Sequence, residues 1–201
     1  MGYLIEGIDL TTRRIVRDII KIVRSGEEGN WELPSDLSGD DYYDKDIIVF
    51  FDWSTNWKEE GQKYFLDGDY DDETESIQVV LFINKDYYPE LLYDLIADLN
   101  DIIAHEYEHH YQSLGLRDKK EVSNTPIEKQ PKDYTYYLQS HEIPAVLRGL
   151  KRVMKLRKIG LERALDDWYS RTFQAGEISK EDFEKLKFEL KKEYEKRYGT
   201  K

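Results

Sequence analysis

The sequence predicts an α+β fold: a helix, a small mainly antiparallel sheet, a long helix, and a C-terminal set of helices. Two observations carry this prediction. Short apolar runs rich in β-branched and aromatic residues gather between 46 and 84, while apolar residues recur at helical spacing on both sides of them. The strands are grouped rather than alternating with helices, which points away from repeated βαβ units.

Residues 9–24 place Ile15, Val16, Ile19, Ile20 and Val23 on one helical stripe, with Asp9 or Thr11 as candidate cap and Gly26 just past the end. Residues 25–45 are rich in Gly, Ser, Asp and Pro and read as a loop. DIIVFFDW at 46–53 is a continuous apolar run, the pattern of a buried strand. QKYFLDG at 62–68 and SIQVVLFIN at 76–84 read as two more strands, joined as a hairpin by a polar turn. Residues 89–115 form the clearest helix, with Pro89 suited to its first position and Gly115 to its stop. A polar connection containing Pro126 and Pro131 fills 115–135, and helices follow at about 142–158, 161–173 and 180–197. Gly160 separates the first two, and Ser179 with Asp182 makes a capping-box-like start for the last. The chain is expected to be one domain over 1–201, with an N-terminal lobe of about 1–114 and a C-terminal helical lobe of about 134–201.

Composition narrows the function. The 201 residues suffice for a real core, and 42 Asp and Glu against 30 Lys and Arg give a net charge of −12. Such a surface repels phosphate backbones, so nucleic acid is not an expected partner. There is no cysteine, which excludes disulfides and thiol catalysis and leaves His and carboxylate as ligands for a transition metal. A reducing cytoplasm fits. The opening MGYLIEGIDLTTRRIV has no apolar core and no run approaches 18 apolar residues, so neither a secretion signal nor a membrane span is expected.

Three of the four histidines lie in HEYEHHYQ at 105–112, and the fourth, His141, adjoins Glu142. His105 and His109 are four residues apart, hence on one helical face and able to share an ion. Glu106 lies about 100° round from His105, close to the metal's outer shell without being a natural ligand. This is the H-E-x-x-H arrangement, in which two imidazoles hold Zn²⁺ and the glutamate takes a proton from metal-bound water. By ordinary residue frequencies it arises by chance in roughly 1% of chains of this length. Here the apolar stripe Leu92, Leu95, Leu99, Ile102 leads directly to Glu106 and His109, which places polar groups where aliphatics would otherwise sit.

His105, Glu106 and His109 on a helix after a small sheet resemble the zincin metallopeptidases. The metzincin branch needs Gly and then His at the positions occupied here by Gln112 and Gly115, so that branch is excluded. The remaining resemblance is to gluzincins, whose third ligand is a glutamate from a second helix. Glu142, in HEIPA, lies 33 residues past His109, and its E-x-x-A pattern is similar to small gluzincin-like proteins, several of them phage-encoded. The resemblance covers roughly 45–160. Thermolysin-like members carry an Asp one turn after that glutamate, where this chain has Val146. The resemblance implies a cytoplasmic peptidase, in a host cell if phage-borne, acting on a peptide or protein substrate stretched along an edge strand. The best candidate strand is 76–84.

Between Glu142 and His141, the helical neighbours favour Glu142 as third ligand. From Glu142 the spacing leads to Ala145, Val146 and Leu150, a small apolar face, whereas from His141 it leads to Ala145, Arg148 and Lys151, mostly a solvent face. Pro144 suits the first turn, with Ser140 as cap. His141 can still be a ligand, an oxyanion donor or an exposed residue. Tyr134, Tyr136 and Tyr137 precede it, and Tyr137 is taken as a candidate oxyanion donor among 16 tyrosines that mostly serve packing. His110, Tyr107 and Tyr111 are expected to pack. DGDYDDETESIQ at 67–78 imitates a calcium loop, but Asp72 stands where Gly is needed and Gln78 where Glu is, so an acidic turn is the better account. RGLKRVMKLRK at 148–158 reads as an amphipathic helix with a solvated cationic face. The expected function is zinc-dependent peptide hydrolysis with Glu106 as general base. The alternative is a non-catalytic protein in which the same ion clamps two helices or builds a partner-binding module, with His141 as a possible fourth ligand.

Overall fold

The computed structural model describes residues 2–33, 46–54, 61–115, 134–173 and 178–199, with side chains in the first helix from residue 10 onward. Residues 116–133 of the expected 115–135 connection and residues 34–45 of the expected 25–45 loop lie outside the described residues. The chain forms two compact units, 1–110 and 111–201.

The first unit runs α1 (Gly2–Ser25), β1 (Gly29–Leu33), β2 (Ile47–Ser54), β3 (Tyr64–Asp71), β4 (Ser76–Asn84) and most of α2 (Leu92–Ser113). α1 begins earlier than its apolar stripe suggests, and that stripe is buried throughout: Ile15, Val16, Ile19, Ile20 and Val23. The four strands form one sheet in the order β1-β2-β4-β3. The outer pairings are antiparallel, but the central pair β2–β4 is parallel, with Ile47 opposite Ile77 and Phe51 opposite Leu81. The sheet is therefore mixed. Strand β1 was hidden in the stretch expected to be loop. The predicted hairpin is β3–β4, closed from Asp71 to Ser76.

This order corrects the choice of edge strand. β4 has β2 on one side and β3 on the other, so residues 76–84 are interior and the strands at the ends of the sheet are β1 and β3. The continuous apolar run in β2 also divides by face. Ile47, Val49 and Phe51 join Ile77, Val79, Leu81 and Ile83 in the core, while Ile48 is exposed. On that second face Phe50, Phe82 and Phe65 make a row of edge-on and tilted rings at 5.6 and 6.0 Å.

A 3₁₀ turn, Lys85–Tyr87, leads into α2, and Pro89 sits in the turn before the helix rather than in its first position. The buried stripe, from Leu91 just before α2, is Leu91, Leu95, Leu99, Ile103 and Tyr107; Leu95 and Leu99 lie on it as expected, while a shift at its two ends leaves Leu92 and Ile102 half-buried. The shift leaves a neighbouring stripe, Asp98, Ile102, Glu106 and His110, for the edge strand.

The second unit contains α3 (Glu142–Arg157), α4 (Leu161–Thr172) and α5 (Lys180–Tyr198), preceded by a 3₁₀ turn, Tyr134–Leu138. Its core joins Leu147, Leu150, Leu165, Trp168, Phe183 and Leu186. The expected cap is present: Ser179 Oγ accepts from Asp182 N at 3.1 Å and donates to its carboxylate at 2.8 Å. The cationic face of α3 is not fully solvated, since Arg148 and Arg152 are both buried. No helix among the described residues is long and apolar enough to cross a membrane.

Candidate metal centre

α2 delivers the histidine pair by its own geometry. His105 and His109 are one turn apart, their Nε2 atoms lie 3.0 Å from each other, and their rings meet at 68°. The facing nitrogens are the ones that project farthest from the helix, so both donors converge on one point. Glu106 is buried, with Oε1 4.0 Å from His105 Nε2, near the pair without being part of it.

Edge strand β3 runs alongside Glu106. Its alternate residues Tyr64, Leu66, Gly68 and Tyr70 share one strand face, and the four-residue series Asp98, Ile102, Glu106, His110 shares one helix face. Tyr64 donates to Asp98 Oδ2 at 2.5 Å, a strong charge-assisted bond. Tyr70 Oη lies 3.2 Å from His110 Nδ1, so His110 is buried and tied to the sheet, in line with its expected packing role. Between these two contacts stands Gly68. A Cβ there would lie 2.2 Å from Ile102 Cγ2, 3.5 Å from Glu106 Cγ and 3.7 Å from Glu106 Oε1. None of Gly68, Tyr64, Tyr70 and Asp98 was singled out from sequence. The signal was present: a glycine inside a strand pattern marks a close approach of another element.

The calcium-like turn uses its carboxylate for the chain itself. Asp71 accepts from Glu73 N at 2.8 Å, from Thr74 N at 3.3 Å and from Thr74 Oγ1 at 2.8 Å, an Asx-type turn. These bonds hold the Asp71 carboxyl below its ordinary value. Asp69 goes the other way. Partial burial, then Asp67 and Asp71, raise its carboxyl, while His109 acts in the opposite sense.

In the second unit, Glu142 opens α3 and is buried. The position before it, the N-cap, is His141 rather than Ser140, and no side chain caps the helix there. His141 is the more exposed of the two, and its Nε2 lies 3.3 Å from Glu142 Oε1. The side chain of Gln112 donates to the His141 carbonyl at 2.9 Å. Tyr136 stands edge-on to His141 at 6.4 Å, whereas Tyr137 packs against Trp168 and Phe173 at 5.2 and 5.4 Å.

His105, His109 and Glu142 each offer one ligand atom, and those atoms all lie within 4.8 Å of one another, so the three could hold a metal ion. These are the three ligands expected from the sequence. Two imidazole nitrogens and one carboxylate oxygen suit a transition metal, such as zinc or ferrous iron, better than calcium or magnesium, which prefer all-oxygen sites. No protein-family model matches the chain, and no curated protein or solved structure matches it.

Proposed function

We propose that this protein is a zinc-dependent peptidase in which His105, His109 and Glu142 hold the ion and Glu106 is the general base. The observation that carries the reading is the convergence of the three donors, with Glu106 buried 4.0 Å from His105 Nε2. The nitrogen spacing of 3.0 Å supports it, because two nitrogens about 2.0–2.1 Å from a tetrahedral ion stand about 3.3 Å apart. Zinc when bound supplies an acidified water and polarises a carbonyl oxygen.

The chain's own residues do the rest. Glu106 takes the proton from the attacking water and returns it to the leaving amine, work for which its position outside the ligand set leaves it available. The peptide lies extended beside β3, the end strand next to Glu106, and pairs with its main chain. His141, the more exposed neighbour of Glu142, donates to the developing oxyanion. Tyr136 supports that ring better than Tyr137, whose ring lies in the aromatic cluster of the second unit.

The experiment is elemental analysis of the purified chain with peptide-library cleavage of wild type and Glu106→Gln. About one zinc per chain and library cleavage are expected for the wild type. The variant should keep its zinc and fold while its hydrolysis falls by about 10²–10⁴-fold. A chain that takes up no zinc overturns the reading.

One observation favours a second reading. With His141 Nε2 3.3 Å from Glu142 Oε1, a third imidazole nitrogen neighbours the ligand set, and a site closed by four protein ligands would be a structural clamp. Two variants separate the readings. In the open site Glu142→Ala lowers zinc affinity by more than about 100-fold, beyond the effect of losing a supporting partner, while His141→Ala keeps zinc and slows turnover. Equal affinity losses in both variants, with no cleavage by the wild type, would establish the clamp.

A further inference from the structure

We infer that Gly68 is a positioning residue for Glu106, setting how closely the edge strand can lie against the catalytic stretch of α2. This rests on the peptidase reading for its consequence in turnover, and on the structure of the first unit for the contact itself.

Strand and helix are fastened at two points, Tyr64 to Asp98 and Tyr70 to His110. Asp98 and His110 are twelve residues apart, about 18 Å along a helix, and Tyr64 and Tyr70 are six apart, about 20 Å along a strand. The two elements therefore keep pace over this stretch, and the fastenings hold β3 down along the whole length that contains Glu106. Gly68 and Glu106 lie between them. Backbone strain does not select glycine here, since Gly68, unlike Gly26 and Gly61, does not adopt the left-handed conformation. Space does: the missing methyl would sit 2.2 Å from Ile102 Cγ2, far inside contact distance. The same methyl would press on Glu106 Cγ and Oε1 at 3.5 and 3.7 Å, covering the strand-facing side of the carboxylate. With any side chain at 68, β3 must lift away from α2, or Ile102 must move and carry the helix face with it. Either change separates the strand that aligns the peptide from the carboxylate that activates water. The three heavy atoms nearest the added methyl belong to Ile102 and Glu106, not to His105 or His109.

The test compares wild type, Gly68→Ala, Ile102→Ala and the double variant as full chains. Three readouts are used: zinc per chain, amide hydrogen exchange along β3, and kcat and KM on a cleaved library peptide. Gly68→Ala should keep its zinc, exchange its β3 amides at least ten times faster, and lose at least tenfold in kcat. Ile102→Ala removes the colliding methyl, so the double variant should recover slow exchange and most of kcat. Unchanged β3 exchange in folded, zinc-loaded Gly68→Ala overturns the inference, as does unchanged kcat where the wild type cleaves. If the wild type cleaves nothing, the peptidase reading fails, while the exchange data still decide whether Gly68 sets the strand-to-helix contact. Loss of exchange protection across the whole chain, without rescue by Ile102→Ala, would make Gly68 a general stability residue and also overturn it.

Discussion

α5 buries Phe183, Leu186 and Leu190 and leaves its charges outside, where Lys185 meets Glu181 and Asp182, and Lys196 meets Glu193. α2, of similar length, buries Asp98, Asn100, Asp101, Glu106, Glu108 and His110 beside its aliphatic stripe. Burying polar groups lowers stability unless each finds a partner, and a helix selected for packing alone would be built like α5. In α2, Asp98 and His110 take their partners from the edge strand, and His105 and His109 converge on each other. The difference separates a helix that buries only apolar side chains from one that commits polar groups to the edge strand and to a converging histidine pair.

Substitutions should divide the two helices cleanly. His109→Ala should abolish tight zinc binding, measured by equilibrium titration against a chelator, and leave the metal-free chain folded. Leu186→Ala should do the opposite, lowering unfolding free energy by about 2–5 kcal/mol in denaturant titration while zinc uptake stays at about one per chain. A metal-free His109→Ala chain that fails to fold, or a folded Leu186→Ala chain that loses zinc, would break the comparison.

A smaller effect sharpens it within the first unit. The Asp69 carboxyl is raised by partial burial and by Asp67 and Asp71, so its charge is less favourable in the folded chain than in the unfolded one. A raised carboxylate subtracts stability at neutral pH, and that loss shrinks as pH falls through the folded-state value and is gone below the ordinary value, where both states bind the proton. Asp69→Asn should therefore stabilise the chain slightly near pH 7, since solvent screens this exposed carboxyl, and make little difference near about pH 3. Thermal melts at the two pH values check this. A destabilised variant at neutral pH would mean that Asp69 is held by a favourable contact.

The parts legible in the sequence are those decided within a few residues. H-E-x-x-H fixes the histidine pair because four-residue spacing is itself the geometry, and Ser179 with Asp182 fixes a helix start in the same local way. Glu142 was reachable because its helical neighbours Ala145, Val146 and Leu150 are apolar, and all three are buried. The parallel pairing of β2 with β4 was not, because strand order depends on which runs meet across the chain. In β1, GNWEL offers only Trp31 and Leu33 to one face, too little apolar pattern to stand out among glycines and acids. Arg148 and Arg152 mislead for a related reason. An amphipathic reading sends every charge to solvent, and tertiary contacts overrule it. Gly68 lies between these cases: its own strand gives the hint, and only the docked helix supplies the meaning.

The sheet order also bears on how the chain folds. Asp71 and Ser76 pair across a short turn already pinned by the Asp71 carboxylate, whereas Ile47 meets Ile77 thirty residues away. Closing the longer loop costs roughly 2 kcal/mol more in chain entropy. The β3–β4 hairpin therefore forms first and presents β4 as the template on which β2 docks. The strand that borders Glu106 therefore has its pairing with β4 in place before β2 completes the sheet.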